Sequence, residues 1–237
     1  MLDLMEQEAG GAQQHRLEQP EPRLEQPRLS GRRAEAARND PKILAAARAV
    51  FVRDPAAPMA AVAREAGVGI GAVYRRFASK EELLQRLCAD GLRTFLEVAS
   101  AAREKGDEAR AFEALVTGIV EADVHSLTVS LAGTFTPTKE LGALAQEANA
   151  MAARVIEGAR TAGAICPDLT PEDFAMLLEQ VTAVRLPDPS RTAEARRRYV
   201  ALHLDAWRNV RSDRALPGGP PTQDELSARW VPRRPGA

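Results

Sequence analysis

Between Pro58 and Ser79 the chain has room for very few folds. Two short stretches with helical spacing of apolar residues, Met59–Ala66 and 70–77, are separated only by Gly67-Val68-Gly69. Gly67 suits the left-handed position just past a helix end, because a residue without Cβ adopts positive φ at no steric cost. Two helices joined by so short a turn cross steeply, at about 90–120°, and need a small residue where they approach, which Ala63 supplies. Pro55 and Pro58 bound the unit in front, and Ser79-Lys80-Glu81-Glu82 reads as a capping box opening a longer helix through Leu83 and Leu87. Upstream, Asp40-Pro41 reads as an N-cap followed by a first-turn proline. Ile43, Leu44, Ala47, Val50 and Phe51 give that helix one apolar face, and it stops before Asp54-Pro55. The spacing predicts a helix-turn-helix over 58–77, braced by a helix on each side.

The rest reads as helix too. Apolar residues make up 45% of the 237 but aromatics only 4%, so the chain is rich in helix-forming Ala and Leu and poor in strand-forming runs. Helices are expected over about 108–131, 138–162, 171–185 and 190–210, with a capping start at Thr170-Pro171-Glu172-Asp173 and a break at Pro187-Asp188-Pro189. The fold class is all-α. Near the N-terminus, Arg16-Leu17-Glu18-Gln19-Pro20 recurs as Arg23-Leu24-Glu25-Gln26-Pro27; such a segment has too few large apolar side chains for a core, and 1–34 is expected to be a disordered extension. Prolines, glycines and charges from 212 to 237 suggest a flexible tail. No apolar run approaches the roughly 18 residues of a membrane span, so a cytoplasmic protein without membrane contact is expected. Cys88 and Cys166 stand far apart and form no metal-ligand or CxxC pattern, and read as buried or idle thiols.

Net charge is −1, which alone speaks against a nucleic-acid partner. By region the picture changes. Residues 31–86 hold eleven Arg/Lys against six Asp/Glu (+5), whereas 1–30 and 87–237 each stand at −3. A basic segment between acidic ones is the signature of a phosphate-binding module on a non-binding body.

The order Ala66-Gly67-Val68, then Gly71-Ala72-Val73-Tyr74-Arg75-Arg76-Phe77, then Ser79-Lys80-Glu81-Glu82-Leu83 resembles the DNA-binding domain of TetR-type (TetR/AcrR-like) transcriptional regulators. The resemblance covers about residues 39–95. It implies a three-helix DNA-binding domain at 35–95 and a helical ligand-binding and dimerisation domain at 96–211. Residue by residue, it assigns Tyr74 and Lys80 to phosphate, Arg75 and Arg76 to base edges or backbone, and a close approach to DNA at Gly71. Gly69, Ile70 and Ala72 complete the DNA-facing set. Gly69 and Ala72 depart from the family, which often carries hydroxyl residues there, so more weight is expected on the arginines and on an arm around Arg32, Arg33 and Arg38. Phe77 is expected in the core.

The resemblance further implies a homodimer on a pseudopalindromic double-stranded operator, released by a small-molecule inducer, with no cofactor or metal. Phe95, Phe112, His125, Thr128, Phe135, Met151 and Met176 are candidates to line the inducer site, each equally readable as core packing. The last two long helices, with Phe174, Leu177, Leu178 and Val181 on one and Tyr199, Leu202 and Trp207 on the other, are expected to form a dimer bundle. Alternatives are control by a protein partner or regulation without inducer. Enzymatic function is disfavoured, because His15, His125 and His203 are not clustered with acids or cysteines.

Overall fold

The computed structural model describes residues 31–209 and 216–231, with side chains from residue 40 onward. The N-terminal repeat and residues 1–30 lie outside the described part. Ten helices and no strand occur among the described residues.

The first helices follow from their punctuation. α2 (Met59–Ala66) ends on Gly67 at φ 65°, whose N–H closes the last turn, and α3 (Ile70–Arg76) starts three residues later. α1 (Gly31–Arg53) stops before Asp54 as the proline there requires, but it begins nine residues earlier than Asp40-Pro41 suggested. Ala, Arg and Glu upstream are good helix formers, and the helix carries Pro41 inside it at the loss of one backbone bond. α4 (Lys80–Arg103) is capped by Ser79 Oγ, which accepts from the Glu82 N–H at 3.1 Å. The reciprocal half of the expected capping box is shifted: the Glu82 carboxylate accepts from the Ala78 N–H at 2.7 Å instead.

Beyond α4 come α5 (Glu108–Glu121), α6 (Val124–Leu131), α7 (Lys139–Thr161), α8 (Pro171–Ala183), α9 (Pro189–Asn209) and α10 (Gln223–Ala228). The expected single helix over 108–131 is broken: α5 and α6 meet at 66°. Asp123 causes the break. It is the one described non-glycine residue at positive φ, 51°, in a sequence with no Gly or Pro at that point to announce a stop. Thr170 and Asp173 form the full capping box their spacing predicts. In the stretch read as a flexible tail, α10 forms on a second capping box, Thr222 with Glu225.

Two cores organise these elements. One gathers Ile43, Ala47, Val50 and Phe51 of α1, Met59, Val62 and Ala63 of α2, Val73, Phe77, and Leu83, Leu84, Leu87 and Cys88 of α4. It is completed by Leu127 and Leu131 of α6, Phe135 and Leu141, so the N-terminal unit is sealed by the body. The other gathers Ala99 and Ala102 of α4 with Phe112, Leu115 and Ile119 of α5, Val155 and Ile156 of α7, Phe174, Leu177 and Val181 of α8, and Val200 and Leu204 of α9. Each fully buried Leu or Phe contributes about 1.5–3 kcal/mol by its removal from water. Phe174, Leu177 and Val181 therefore serve the chain's own core, not an outer face; apolar periodicity fixes which side of a helix is buried but not against what. Tyr199 and Leu202 stand out from α9. Cys88 and Cys166 are buried in separate cores, and burial pushes the Cys88 thiol up to about 12.

Candidate nucleic-acid interface

α3 is seven residues long and is held by its inner side. Val73 has no exposed surface and Phe77, just beyond the helix, is 3% exposed, as expected for core residues. Successive residues of a helix fall about 100° apart, so anchoring Val73 turns Gly71 and Arg75 to the far side and Tyr74 to the flank, while Ile70 opens the first turn nearer the Val73 side. Tyr74 is 51% exposed and Ile70 41%, large apolar surfaces left in water on an otherwise well-packed unit. Gly69, Gly71, Arg75 and Arg76 are exposed too, and Ala72 is half-buried.

The glycines leave space at the surface. A Cβ on Gly69 would meet nothing within 4 Å, and one on Gly71 would touch only Arg75 Nη1, at 3.5 Å. The Arg75 guanidinium thus lies back over Gly71. Gly69 is the N-cap of α3, with φ −67° and ψ 143°, and offers no side-chain cap. Gly69→Ser fits this backbone and supplies the missing acceptor. It is expected to raise stability by roughly a few tenths of a kcal/mol, read as a slightly higher urea midpoint at unchanged slope; a lower midpoint would contradict the open geometry around Gly69.

The basic residues differ in freedom. Arg76 Nε donates to the Asp40 carboxylate, and its guanidinium lies 5.6 Å from the Phe77 ring centre. Lys80 Nζ donates to the Pro55 carbonyl at 2.7 Å and sits 5.1 Å above the Phe51 ring. Burial lowers the Lys80 pKa, with Asp54 pulling it back up. Its ammonium is thereby fixed at the joint between the α1–α2 loop and the start of α4. Arg75 forms no ion pair among the described residues. Arg38, like Arg32 and Arg33, lies on α1 where side chains are outside the described part.

The inducer-site candidates do not converge. Phe112 is 1% exposed in the second core, with Phe95 and Met151 against that core, whereas Phe135 is 4% exposed in the first. Thr128 and Met176 are half-buried, and Thr128 Oγ1 donates to the Val124 carbonyl. A groove of about 270 Å³ runs between α5 and α9, lined by Glu113, Thr117, Glu121, Arg197, Val200 and Asp205 among others; none of the candidates borders it.

His125 belongs to a polar knot that sequence spacing did not reveal. Arg196 of α9, 9% exposed, donates to Asp123 Oδ1 at 2.8 Å, Ser126 Oγ at 3.0 Å, and the Val184 and Thr182 carbonyls. Arg48 of α1 donates to the Asp123 carbonyl. One residue at the α5–α6 break therefore bonds to α9 and to the N-terminal unit. An arginine in an apolar helix face was the available signal, but its side-chain partners Asp123 and Ser126 lie 73 and 70 residues away in sequence.

Residues 43–87 match the family described as bacterial regulatory proteins, tetR family. No curated protein matches the chain in sequence. Among solved structures, a gamma-butyrolactone receptor (ArpA like protein) is similar at TM-score 0.56 and 21% identity, over 71% of this chain and 85% of that one. The ketosteroid transcriptional regulator KstR2 of Mycobacterium tuberculosis follows at 0.54 and 19%, over 73% and 96%. The TetR-like regulator LfrR from Mycobacterium smegmatis, in complex with proflavine, stands at 0.52 and 20%, over 69% and 95%. At these identities the likeness is one of fold: the chain has the all-helical fold of TetR-family transcriptional regulators, with the family's N-terminal domain at its head.

Proposed function

We propose that this chain, a TetR-type transcriptional regulator by its N-terminal domain and fold, is a cytoplasmic homodimeric repressor that leaves its operator when a small organic inducer binds. The observation that carries the DNA-binding half is the outer face of α3, where Tyr74 and Arg75 project beside two glycines from a helix anchored by Val73. Arg75 has the donors for a guanine edge, while the Tyr74 hydroxyl and the Lys80 ammonium suit phosphate oxygens. Arg76, neutralised by Asp40, serves the unit's own stability first. Two such units, one helical turn of DNA apart, would read a pseudopalindrome. Gly69, Ile70, Gly71 and Ala72 form the close-approach surface, and residues 31–39 of α1, with Arg38, the adjoining arm. The domain division follows: DNA binding over 35–95, ligand binding and dimerisation over 96–211.

Inducer release rests on fold-level likeness, since the gamma-butyrolactone receptor and the proflavine complex share the fold. A ligand that favours a subunit spacing wrong for DNA shifts the population off the operator. A second reading, control by a protein partner or without inducer, is favoured by the packing of Phe112 and Phe135 into two different cores.

Operator selection from genomic fragments, followed by binding measurements against salt, tests the reading. Arg75→Ala is expected to cost about 1–3 kcal/mol and relax specificity at one base position, and Lys80→Ala to lower the salt slope by about 1. Unchanged affinity and slope in Tyr74→Ala, Arg75→Ala and Lys80→Ala would sink the assignment.

A further inference from the structure

The C-terminal segment returns to the joint between the two cores. Trp230 packs edge-on against Phe135, ring centres 6.2 Å apart at 80°, and so joins the core shared by α1–α4 and α6. Arg229 forms an ion pair with Glu179 of α8. The backbone lies so close to the α6–α7 loop that a Cβ on Gly133 would come within 2.9 Å of the Arg229 carbonyl oxygen and 3.6 Å of that of Val231. On its other side the same loop is held by the first turns of α4: Gln85 Nε2 donates to the Thr136 carbonyl at 3.1 Å, and the Thr136 N–H donates to Glu81 at 3.2 Å. Glu81 directly follows Lys80, so the loop touches the candidate interface's own support.

We infer that residues 222–231 are an intramolecular strap that clamps the α6–α7 loop onto the start of α4 and thereby positions the DNA-binding unit relative to the body. The inference rests on the regulator reading for its consequence, not for the docking itself. The strap is built to hold lightly. Among the described residues α10 buries none, Val231 is 65% exposed, and the attachment rests on the partly buried Trp230 against Phe135 and its core, the Arg229–Glu179 ion pair and the fit over Gly133. Segments held by so few buried contacts open at low free energy. A unit whose angle is fixed before binding loses less freedom on DNA than one that must be ordered there, so strap release weakens operator binding.

The chain carries two tryptophans, Trp207 and Trp230, so Trp207→Phe leaves Trp230 as the sole tryptophan reporter. In that background Trp230 is expected to be shielded from acrylamide, and Arg229→Glu to expose it, with Arg229→Glu/Glu179→Arg restoring the shielding. In the otherwise unaltered chain, Trp230→Ala and Arg229→Glu should speed amide exchange across residues 133–138 and 81–85 while leaving 152–159 unchanged. They should also weaken operator binding about fivefold or more, the lower end for coupled sites, with the charge-reversed pair restoring it. A Trp230 as open to quencher as free tryptophan, or exchange at 133–138 indifferent to both variants, would overturn the docking. Faster exchange with unaltered operator affinity would overturn the positioning role. If the unaltered chain selects no DNA at all, the regulator reading fails, and the quenching and exchange results still decide the strap.

Discussion

Phe51→Ala is expected to lower the unfolding free energy by about 3–5 kcal/mol, the range for emptying a fully buried aromatic site. The Phe51 side chain has no exposed surface and sits among α1, α2 and the start of α4. Its neighbours come from several elements tied to one another, so the site is poorly placed to collapse onto the void. Phe51 also forms the floor beneath the Lys80 ammonium, 5.1 Å away. Its loss should therefore free Lys80 as well as weaken the core. Urea unfolding gives the energy; Phe51→Leu, which refills most of the volume, is expected to lose no more than about half as much. A cost below about 1 kcal/mol in the alanine variant would show that the unit repacks.

Acid should act through His125. The side chain is 3% exposed, its Nδ1 lies 3.4 Å from the Ile119 carbonyl oxygen, and its Nε2 has no hydrogen-bond partner among the described residues. Burial holds its pKa down at about 4; Asp123 pulls it up, while Arg196 and Arg48 add to the depression. In the unfolded chain the imidazole takes its proton near 6.5, as an unperturbed histidine does. Between these values the unfolded state binds the extra proton and the folded state does not. Stability is therefore full above about pH 6.5 and falls as pH drops toward 4, by on the order of 3 kcal/mol in total. Unfolding free energies at pH 7, 5.5 and 4.5 should show this slope, and His125→Gln should flatten it. An equal slope in both proteins would place the acid sensitivity elsewhere.

The parts legible in the sequence are those set by neighbours in the chain. Gly67 at positive φ, the bounds of α2, the Ser79 cap and the Thr170–Asp173 box each depend on a few adjacent residues. The exposed Tyr74 and buried Phe77 follow from the same local period. What escaped depends on distant partners. Asp123 adopts an unfavourable backbone where Arg48 and Arg196 bond to it, and no residue near 123 hints at either. The hold of the Pro55 carbonyl on the Lys80 ammonium, which the resemblance assigns to phosphate, likewise joins residues 25 apart in sequence. Phe174, Leu177 and Val181 looked available for a partner chain because periodicity is silent about which surface a stripe meets. Trp230 lay in a stretch whose composition argued for a loose end, while its contact with Phe135 spans almost a hundred residues.

α4 places Leu83, Leu84 and Leu87 in one core and Ala99 and Ala102 in the other, with no break between Lys80 and Arg103. Its 24 residues span about 36 Å at the helical rise. Such a rod is a lever: a tilt of about 5° at its Ala102 end sweeps the Lys80 end through about 3 Å, the length of a hydrogen bond. A small change in packing around the far core would, by this geometry alone, displace the Lys80 end of α4 by about the length of a hydrogen bond.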